Sequence, residues 1–182
     1  MDKINVLALP GSLRQASLTK ELVNALQEIA PDEMEITVFE LNDIPVYNQD
    51  VEEADGFPPT VQTLRDAVAA ADALIIATPE YNGAMSGVIK NAIDWLSRGG
   101  LLGKKIAAPI SGSPGALGAT KAQESLRAVM THLGMYVLSR PAIAVPQLNK
   151  KLEDGAITDE TTAKFVGEWL EAFRDWIVQL NK

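Results

Sequence analysis

Short apolar runs alternate along this chain with longer segments in which apolar residues recur every three or four positions. The first pattern predicts strands buried on both faces, and the second predicts amphipathic helices packed against them. The predicted strands comprise residues 4–9, 35–41, 73–77, 105–110 and 136–145, the last broken by Pro141. The predicted helices comprise residues 18–29, 60–71, 88–96, 120–133 and 159–180. Strands that alternate with helices in this way predict an α/β fold with a doubly wound, five-stranded parallel sheet.

Right-handed crossovers in such a sheet favour the flavodoxin-like strand order 2-1-3-4-5, with helices on both faces. Prolines and glycines are scattered, and neither a linker nor a repeat is visible, so we expect residues 1–182 to form a single flavodoxin-like domain. The strand order reverses between the first and third strands. Because open sheets bind ligands beyond the carboxyl ends of the strands at such a point, the loops after these two strands should form one site.

Two apolar segments need an explanation beyond the strands. The stretch from Asn42 to Pro59 is predicted to be a long irregular loop, yet its residues 44–47 are apolar. We expect these residues to pack on a ligand mouth or on another subunit, with packing on their own domain as the alternative. The final helix carries a broad apolar face that begins at Phe165 and is predicted to lie in the core, with a possible subunit contact.

Composition excludes several classes of function. The net charge of −8 argues against a nucleic-acid groove, which requires a basic stripe. No apolar run approaches the length of a membrane span, and no signal sequence precedes the first strand, so we expect a cytoplasmic protein without membrane insertion. The absence of cysteine excludes thiolate catalysis and cysteine-ligated metals. His132, the one histidine, has no ligand-type neighbours at suitable spacing and is predicted to be structural, so no metal site is expected.

The loop after the first strand has the chemistry of a phosphate site. Gly11 allows a sharp turn, Ser12, Ser17 and Thr19 supply hydroxyl donors, and Arg14 supplies a planar cation at the start of a helix. The pattern is neither a Walker sequence nor the three-glycine dinucleotide motif, so a monophosphate is the expected guest. A second interpretation stays open, in which Ser17 only caps the helix and Arg14 is solvated.

The loop after the third strand suits a flat polar ring. It begins with Pro79-Glu80-Tyr81-Asn82-Gly83, which combines a rigid residue, an aromatic side chain and an amide, and it continues to Ser86, the predicted N-cap of the next helix. A third loop, rich in glycine and serine, follows the fourth strand over residues 111–118. A phosphate site beside a ring site matches FMN. A phosphorylated receiver domain is excluded, because the acidic residues that it needs after the first and third strands are absent.

Three stretches resemble the family of NAD(P)H-dependent FMN reductases, which includes bacterial chromate, quinone and azo-dye reductases. They are Gly-Ser-Leu-Arg-Gln-Ala-Ser at residues 11–17, Ile-Pro-Val-Tyr-Asn at residues 44–48, and the nearly continuous segment of residues 78–98. The spacing of strands and helices agrees with this family over the whole chain.

The resemblance implies a noncovalent FMN. Its phosphate would be held by Ser12, Arg14, Ser17 and Thr19, and its ring by the backbone and side chains of residues 79–83. The third loop would also meet the flavin. The full set of candidate cofactor-binding residues is Ser12, Leu13, Arg14, Gln15, Ala16, Ser17, Leu18, Thr19, Pro79, Glu80, Tyr81, Asn82, Gly83, Ser111, Gly112 and Ser113.

The resemblance further implies hydride donation by NADPH or NADH and a ping-pong reaction with quinone, azo, chromate or free flavin acceptors. Flavin N5 would carry the hydride, so no catalytic side chain is expected. A homodimer or homotetramer is also implied. Two alternatives remain: a flavodoxin-type electron carrier that is reduced by a protein partner, and a flavin-free scaffold.

Overall fold

A parallel sheet forms the centre of the fold, and its strand order is the predicted one. The computed structural model describes residues 3–181. Its strands are β1 (Ile4–Pro10), β2 (Met34–Val38), β3 (Ala73–Thr78), β4 (Glu80–Tyr81), β5 (Ala84–Met85), β6 (Ile106–Gly112), β7 (Tyr136–Val137), β8 (Ile143–Val145), β9 (Leu152–Glu153) and β10 (Ala156–Ile157). The main sheet has the order β2-β1-β3-β6-β7, and β8 pairs further along β6. These pairings are all parallel, which confirms the flavodoxin-like order 2-1-3-4-5.

Helices cover both faces of this sheet. They are α1 (Leu18–Glu28), α2 (Gln49–Asp55), α3 (Pro59–Ala70), α4 (Gly87–Leu96), α5 (Thr120–His132) and α6 (Glu160–Leu180). Side chains along β3 alternate between the faces, so that Ile75 packs with α1 and α6, whereas Ile76 packs with α3, α4 and α5. The continuous apolar runs of the sequence therefore form two hydrophobic layers, one on each side of the sheet.

The predicted fifth strand, residues 136–145, is two short strands. β7 pairs with the start of β6 and β8 pairs with its end. The predicted break at Pro141 lies in the segment between them. Proline lacks the backbone N–H that a ladder needs, so the chain leaves the sheet edge there and returns to it.

The stretch of residues 42–59 is not wholly irregular, because it contains α2. Asn48 caps this helix, its side-chain oxygen accepting a hydrogen bond of 2.9 Å from the N–H of Asp50. Within α2 no residue is buried. A helix without a buried stripe lacks the apolar periodicity that predicts helices, which is why the sequence pattern missed it.

The apolar residues that precede α2 pack on their own domain. The carbonyl of Pro45 accepts hydrogen bonds of 2.8 Å from both Asn91 and Trp95 of α4, and the ring of Tyr47 meets Trp95 edge-on at 4.8 Å. Trp95 is fully buried, as expected for a packing residue. Val46 points away, with 84% of its surface exposed. Contacts within the domain thus account for most of this segment.

The apolar face of α6 lies in the core, with one exception. Trp169 and Phe173 are completely buried and stack at 6.1 Å, in agreement with the predicted stripe. Phe165 was predicted to share this face, but 54% of its surface is exposed. It lines an open groove of about 380 Å³ beside β8.

Candidate functional site

The first and second loops of the predicted site are in direct contact. Pro10 is paired with Ala77 at the ends of β1 and β3, and the N–H of Gly11 donates a hydrogen bond of 2.8 Å to the carbonyl of Ala77. A β-carbon on Gly11 would lie 2.6 Å from Ile89 Cγ1 and 3.0 Å from Pro79 Cδ, both closer than normal contact. Any larger residue at position 11 would therefore force its neighbours to shift, and the phosphate-type loop leaves β1 in contact with the start of the ring-type loop.

Two hydroxyl groups stand at the beginning of α1. The Ser17 oxygen accepts a hydrogen bond of 3.2 Å from the N–H of Lys20, so Ser17 is the helix cap. Ser17 and Thr19 are both buried, and their hydroxyl oxygens are 3.1 Å apart. Because this mutual bond uses one of the two hydroxyl hydrogens, the other is left to donate to a further acceptor. Capping and anion binding are therefore compatible at this site.

The exposed part of the first loop consists of residues 13–16, which include Arg14. Ser12 is half-buried, and its oxygen lies 3.5 Å from the backbone nitrogen of Arg14. The first loop thus contains a cation and a serine hydroxyl close in sequence to a helix start, whose first N–H groups have no partner within the helix. This donor set has the chemistry that an anion requires.

The ring-type loop is a β-hairpin, which the sequence analysis did not predict. Glu80 pairs with Met85 and Tyr81 with Ala84, so the turn consists of Asn82 and Gly83. Both turn residues have positive φ, 54° and 74°, as a type I′ turn requires. Asn-Gly is the favoured sequence for that turn, a local signal that was available in the chain. The turn places its two backbone N–H groups outside the two-strand ladder, and the neighbouring Tyr81 side chain is 48% exposed.

Helix α5 holds this hairpin in place. A carboxylate oxygen of Glu80 accepts a hydrogen bond of 3.2 Å from the N–H of Ala122, in the first turn of α5. The hydroxyl oxygen of Ser125 accepts one of 2.8 Å from the N–H of Met85. Glu80, predicted as a cofactor contact, therefore uses its side chain to cap a helix, which leaves its backbone as the part that can face a ligand.

Thr78, at the end of β3, fixes the base of the same loop. Its fully buried hydroxyl donates a hydrogen bond of 2.8 Å to the carbonyl of Pro79 and accepts one of 3.3 Å from the N–H of Ser86. Ser86 in turn accepts a bond of 3.2 Å from the N–H of Ile89, which confirms it as the N-cap of α4. Thr78 was not among the predicted site residues, because a threonine that ends a buried strand gives no distinct sequence signal.

The third loop leaves β6 level with the second, since Ser111 pairs with Thr78. Ser111 and Gly112 are buried, and the Ser111 hydroxyl donates a hydrogen bond of 2.9 Å to the carbonyl of Gly118. Its oxygen also accepts one of 3.2 Å from Gln123. Ser113 is only half-buried. Of the two serines predicted at this site, Ser113 is the one that reaches the surface, whereas the Ser111 side chain holds the loop from beneath.

A polar network behind the third loop was missed by the sequence analysis. The Gln123 side chain donates a hydrogen bond of 2.5 Å to the carbonyl of Ile143, and Arg127 donates one of 2.8 Å to the carbonyl of Leu138. These bonds secure the two sides of the break between β7 and β8. Burial lowers the pKa of the Arg127 guanidinium, and the nearby charge of Arg140 lowers it further.

Other kinds of site are not found in the described part of the chain. Residues 3–181 contain no group of three or more His, Asp or Glu side chains that could hold a metal ion, and His132 is exposed at the end of α5. None of the helices in this range has the length and apolar character needed to cross a membrane.

Sequence and structure comparisons agree with each other. The sequence profile of a family described as NADPH-dependent FMN reductase matches residues 4–150. An NAD(P)H-dependent FMN reductase of Pseudomonas aeruginosa is 36% identical over 183 residues, covering 99% of this chain and 98% of its own length. A quinone reductase of Escherichia coli is 36% identical over 186 residues, with the same two coverages. The solved structure of a flavoenzyme NAD(P)H:(acceptor) oxidoreductase from Paracoccus denitrificans superimposes with a TM-score of 0.87 at 38% identity, covering 96% of this chain and 97% of that one.

The contact between the first two loops can be tested with one added methyl group. We expect Gly11→Ala to lower the free energy of unfolding by about 1–3 kcal/mol, because the Ala77 carbonyl in its way belongs to a central strand. In the control variant Gly167→Ala, the new methyl group meets open space within α6, and stability should rise by up to about 1 kcal/mol. Urea unfolding measures both variants. Equal stabilities for Gly11→Ala and the parent protein would contradict the contact.

Proposed function

The chain belongs to the NADPH-dependent FMN reductase family, and on this premise we propose that it takes hydride from NADPH or NADH and reduces quinone, azo, chromate or free flavin acceptors. The observation that carries the proposal is the direct contact of two loops with complementary chemistry. One offers an anion site at a helix start, and the other offers the exposed turn of a rigid hairpin. A cofactor with a phosphate at one end and a flat ring at the other matches both.

The first loop is proposed to hold the FMN phosphate. Arg14 supplies the charge, Ser12 and the Ser17/Thr19 pair supply hydroxyl donors, and the start of α1 supplies backbone N–H groups. The exposed residues 13–16 and Leu18 complete this part of the proposed site. The hydrogen bond from the N–H of Gly11 to the carbonyl of Ala77 holds the start of this loop without a ligand, which should reduce the entropic cost of binding.

The hairpin and the third loop are proposed to hold the ring. The backbone of residues 79–83 faces it from one side, and Gly112 and Ser113 approach it from the other, with Ser111 beneath. When bound, FMN supplies the centre that accepts hydride. The residues of the chain orient the ring and its partners, and none of them has to move a proton. One open ring face would serve the donor and the acceptor in turn, which amounts to a ping-pong reaction.

We also propose that the protein assembles as a homodimer or homotetramer and acts in the cytoplasm. The assembly is proposed from the family premise. The exposed Val46, which does not take part in the packing of its own segment, is a residue that a subunit contact would cover. The location follows from the donor, since a reductase needs the compartment in which NAD(P)H is regenerated.

The decisive experiment mixes purified protein and FMN with NADPH in the absence of oxygen. Rapid loss of the visible flavin absorption supports the reductase. If the protein binds FMN but the absorption persists, the protein is instead a carrier that needs a protein reductant. If FMN neither binds nor raises the melting temperature, the flavin site itself is refuted.

Removal of the Arg14 guanidinium should weaken FMN binding. We expect Arg14→Ala to cost about 1.5–3 kcal/mol of binding free energy, the usual worth of a charge-assisted hydrogen bond, without unfolding an exposed loop. Titration of FMN fluorescence measures the effect. Arg174→Ala is the control, because Arg174 lies on α6 and pairs with Asp175 away from the loops. Identical FMN affinities for Arg14→Ala and Arg174→Ala would remove Arg14 from the site.

The hairpin turn should matter for hydride transfer more than for folding. Proline fixes φ near −65°, whereas Asn82 needs +54°, so Asn82→Pro must break the type I′ turn. Asn82→Gly is the matched control, because glycine keeps the positive φ while removing the side chain. We expect a large loss of NADPH-dependent FMN reduction in the proline variant and near-normal rates in the glycine variant, with stopped-flow absorbance as the measurement. Normal rates in both would contradict the assignment of the hairpin.

A further inference from the structure

We propose that the surface between the β4–β5 hairpin and the third loop binds flat electron acceptors that carry a negative charge in preference to neutral ones, and that Lys121 selects them. This inference rests on the proposed function, since it concerns the acceptor half of the same reaction. It names the chemical class: ring-shaped quinones with an anionic substituent, such as a sulfonate or an ionised hydroxyl group.

Lys121 lies where the hairpin meets α5. Its side chain runs past the turn, since a β-carbon on Gly83 would be 3.7 Å from Lys121 Cδ, which is ordinary van der Waals contact. The residue is exposed, and none of the ion pairs formed within residues 3–181 involves it. The methylene stem is therefore supported by the turn while the ammonium group remains in solvent, where it can pair with a ligand.

The carboxylate in the same neighbourhood is already occupied. Glu80 directs an oxygen to the N–H of Ala122 in the first turn of α5, where the positive end of the helix dipole partly offsets its charge. Glu80 forms no ion pair with Lys121, so the ammonium group of Lys121 remains free to pair with a ligand.

Two exposed hydrophobic side chains belong to the segments that contact α5. Tyr81 extends from the hairpin with 48% of its surface exposed, and Leu117 extends from the third loop with 71% exposed. The carbonyl of Leu117 accepts a hydrogen bond from the Thr120 hydroxyl, which ties that loop to the start of α5. Since β3 and β6 are neighbouring parallel strands, both side chains belong to loops that follow the carboxyl ends of adjacent strands. Apolar surfaces beside a cation fit a flat ring that bears an anion.

The overall charge makes a local cation necessary for such substrates. A protein of net charge −8 repels anions at a distance, so an anionic acceptor needs an attractive group at the mouth of the site. Lys121 provides this group at the ring end of the proposed site, as Arg14 does at the phosphate end. The Lys121 charge should contribute as much as one exposed ion pair at a separation of about 4 Å in water, which corresponds to roughly a fivefold change in kcat/KM for an anionic acceptor.

The test compares two quinones of the same ring system. The FMN-loaded enzyme is assayed with 1,4-naphthoquinone and with its 2-sulfonate, at saturating NADPH and low ionic strength. Each kcat/KM is divided by the rate constant with which free reduced flavin reduces the same quinone. The measured quantity is the sulfonate-to-neutral ratio of these two values. We expect Lys121→Gln to lower the sulfonate-to-neutral ratio roughly fivefold and Lys121→Glu to lower it further. Added salt should shrink the difference between the parent enzyme and Lys121→Gln.

Two further variants separate charge from shape. Lys104→Asn removes one positive charge just before β6, at the amino ends of the strands, and it should leave the ratio unchanged. Asparagine tolerates the φ of 65° at this position. Leu117→Ser should lower kcat/KM for both quinones by a similar factor, because it removes apolar contact. Melting temperature and FMN content show that each variant is folded and loaded.

The outcomes distinguish this inference from the function on which it rests. An unchanged ratio in Lys121→Gln, or an equal fall in Lys104→Asn, overturns the role of Lys121 while quinone reduction itself stands. Full activity of Leu117→Ser toward both quinones overturns the apolar contact of Leu117 with the acceptor. If the parent enzyme oxidises NADPH with neither quinone, the proposed function fails first.

Discussion

The site depends on the absence of a side chain at Gly11. Its α-carbon passes so close to Ile89 and Pro79 that a methyl group has no space, and its N–H is bonded to Ala77 in the neighbouring strand. This close approach forces the loop after β1 to leave the sheet against the loop after β3. Two segments that are about seventy positions apart in the sequence therefore form one surface, and every functional assignment for the chain assumes that surface.

The second constraint is the attachment of the hairpin to α5 rather than to the helix that follows it. Glu80 caps α5, and the Ser125 hydroxyl oxygen accepts a hydrogen bond from the N–H of Met85. Contacts with α5 therefore fix the position of the turn at Asn82. A two-stranded hairpin of this size is not stable alone. Because α5 also begins where the third loop ends, one helix fixes the distance between the two walls of the proposed ring site.

The sequence predicted most of the architecture because most of it follows from burial. Strand β3 is buried along its whole length, so its apolar run was unambiguous, and the strand order followed from the handedness of crossovers. Features without an apolar signature were missed. Helix α2, for example, has no buried residue. Phe165 is the opposite case, because its apolar spacing predicted core although it lies exposed in the groove beside β8. Tertiary contacts, which no local pattern contains, decide both cases.

The candidate site shows a related limit that concerns polar residues. The family resemblance placed Glu80 and Ser111 among the expected contacts of the flavin. The structure uses both to hold backbone: Glu80 caps a helix, and Ser111 bonds to the carbonyl of Gly118. Gln123, inside a helix and without an obvious role in the sequence, completes the same support. Beyond the ends of the strands, the loop backbone no longer has the hydrogen bonds of the sheet. Side-chain hydrogen bonds from behind the surface replace them and fix the shape of each loop, which a site that binds a flat ring through backbone N–H groups requires.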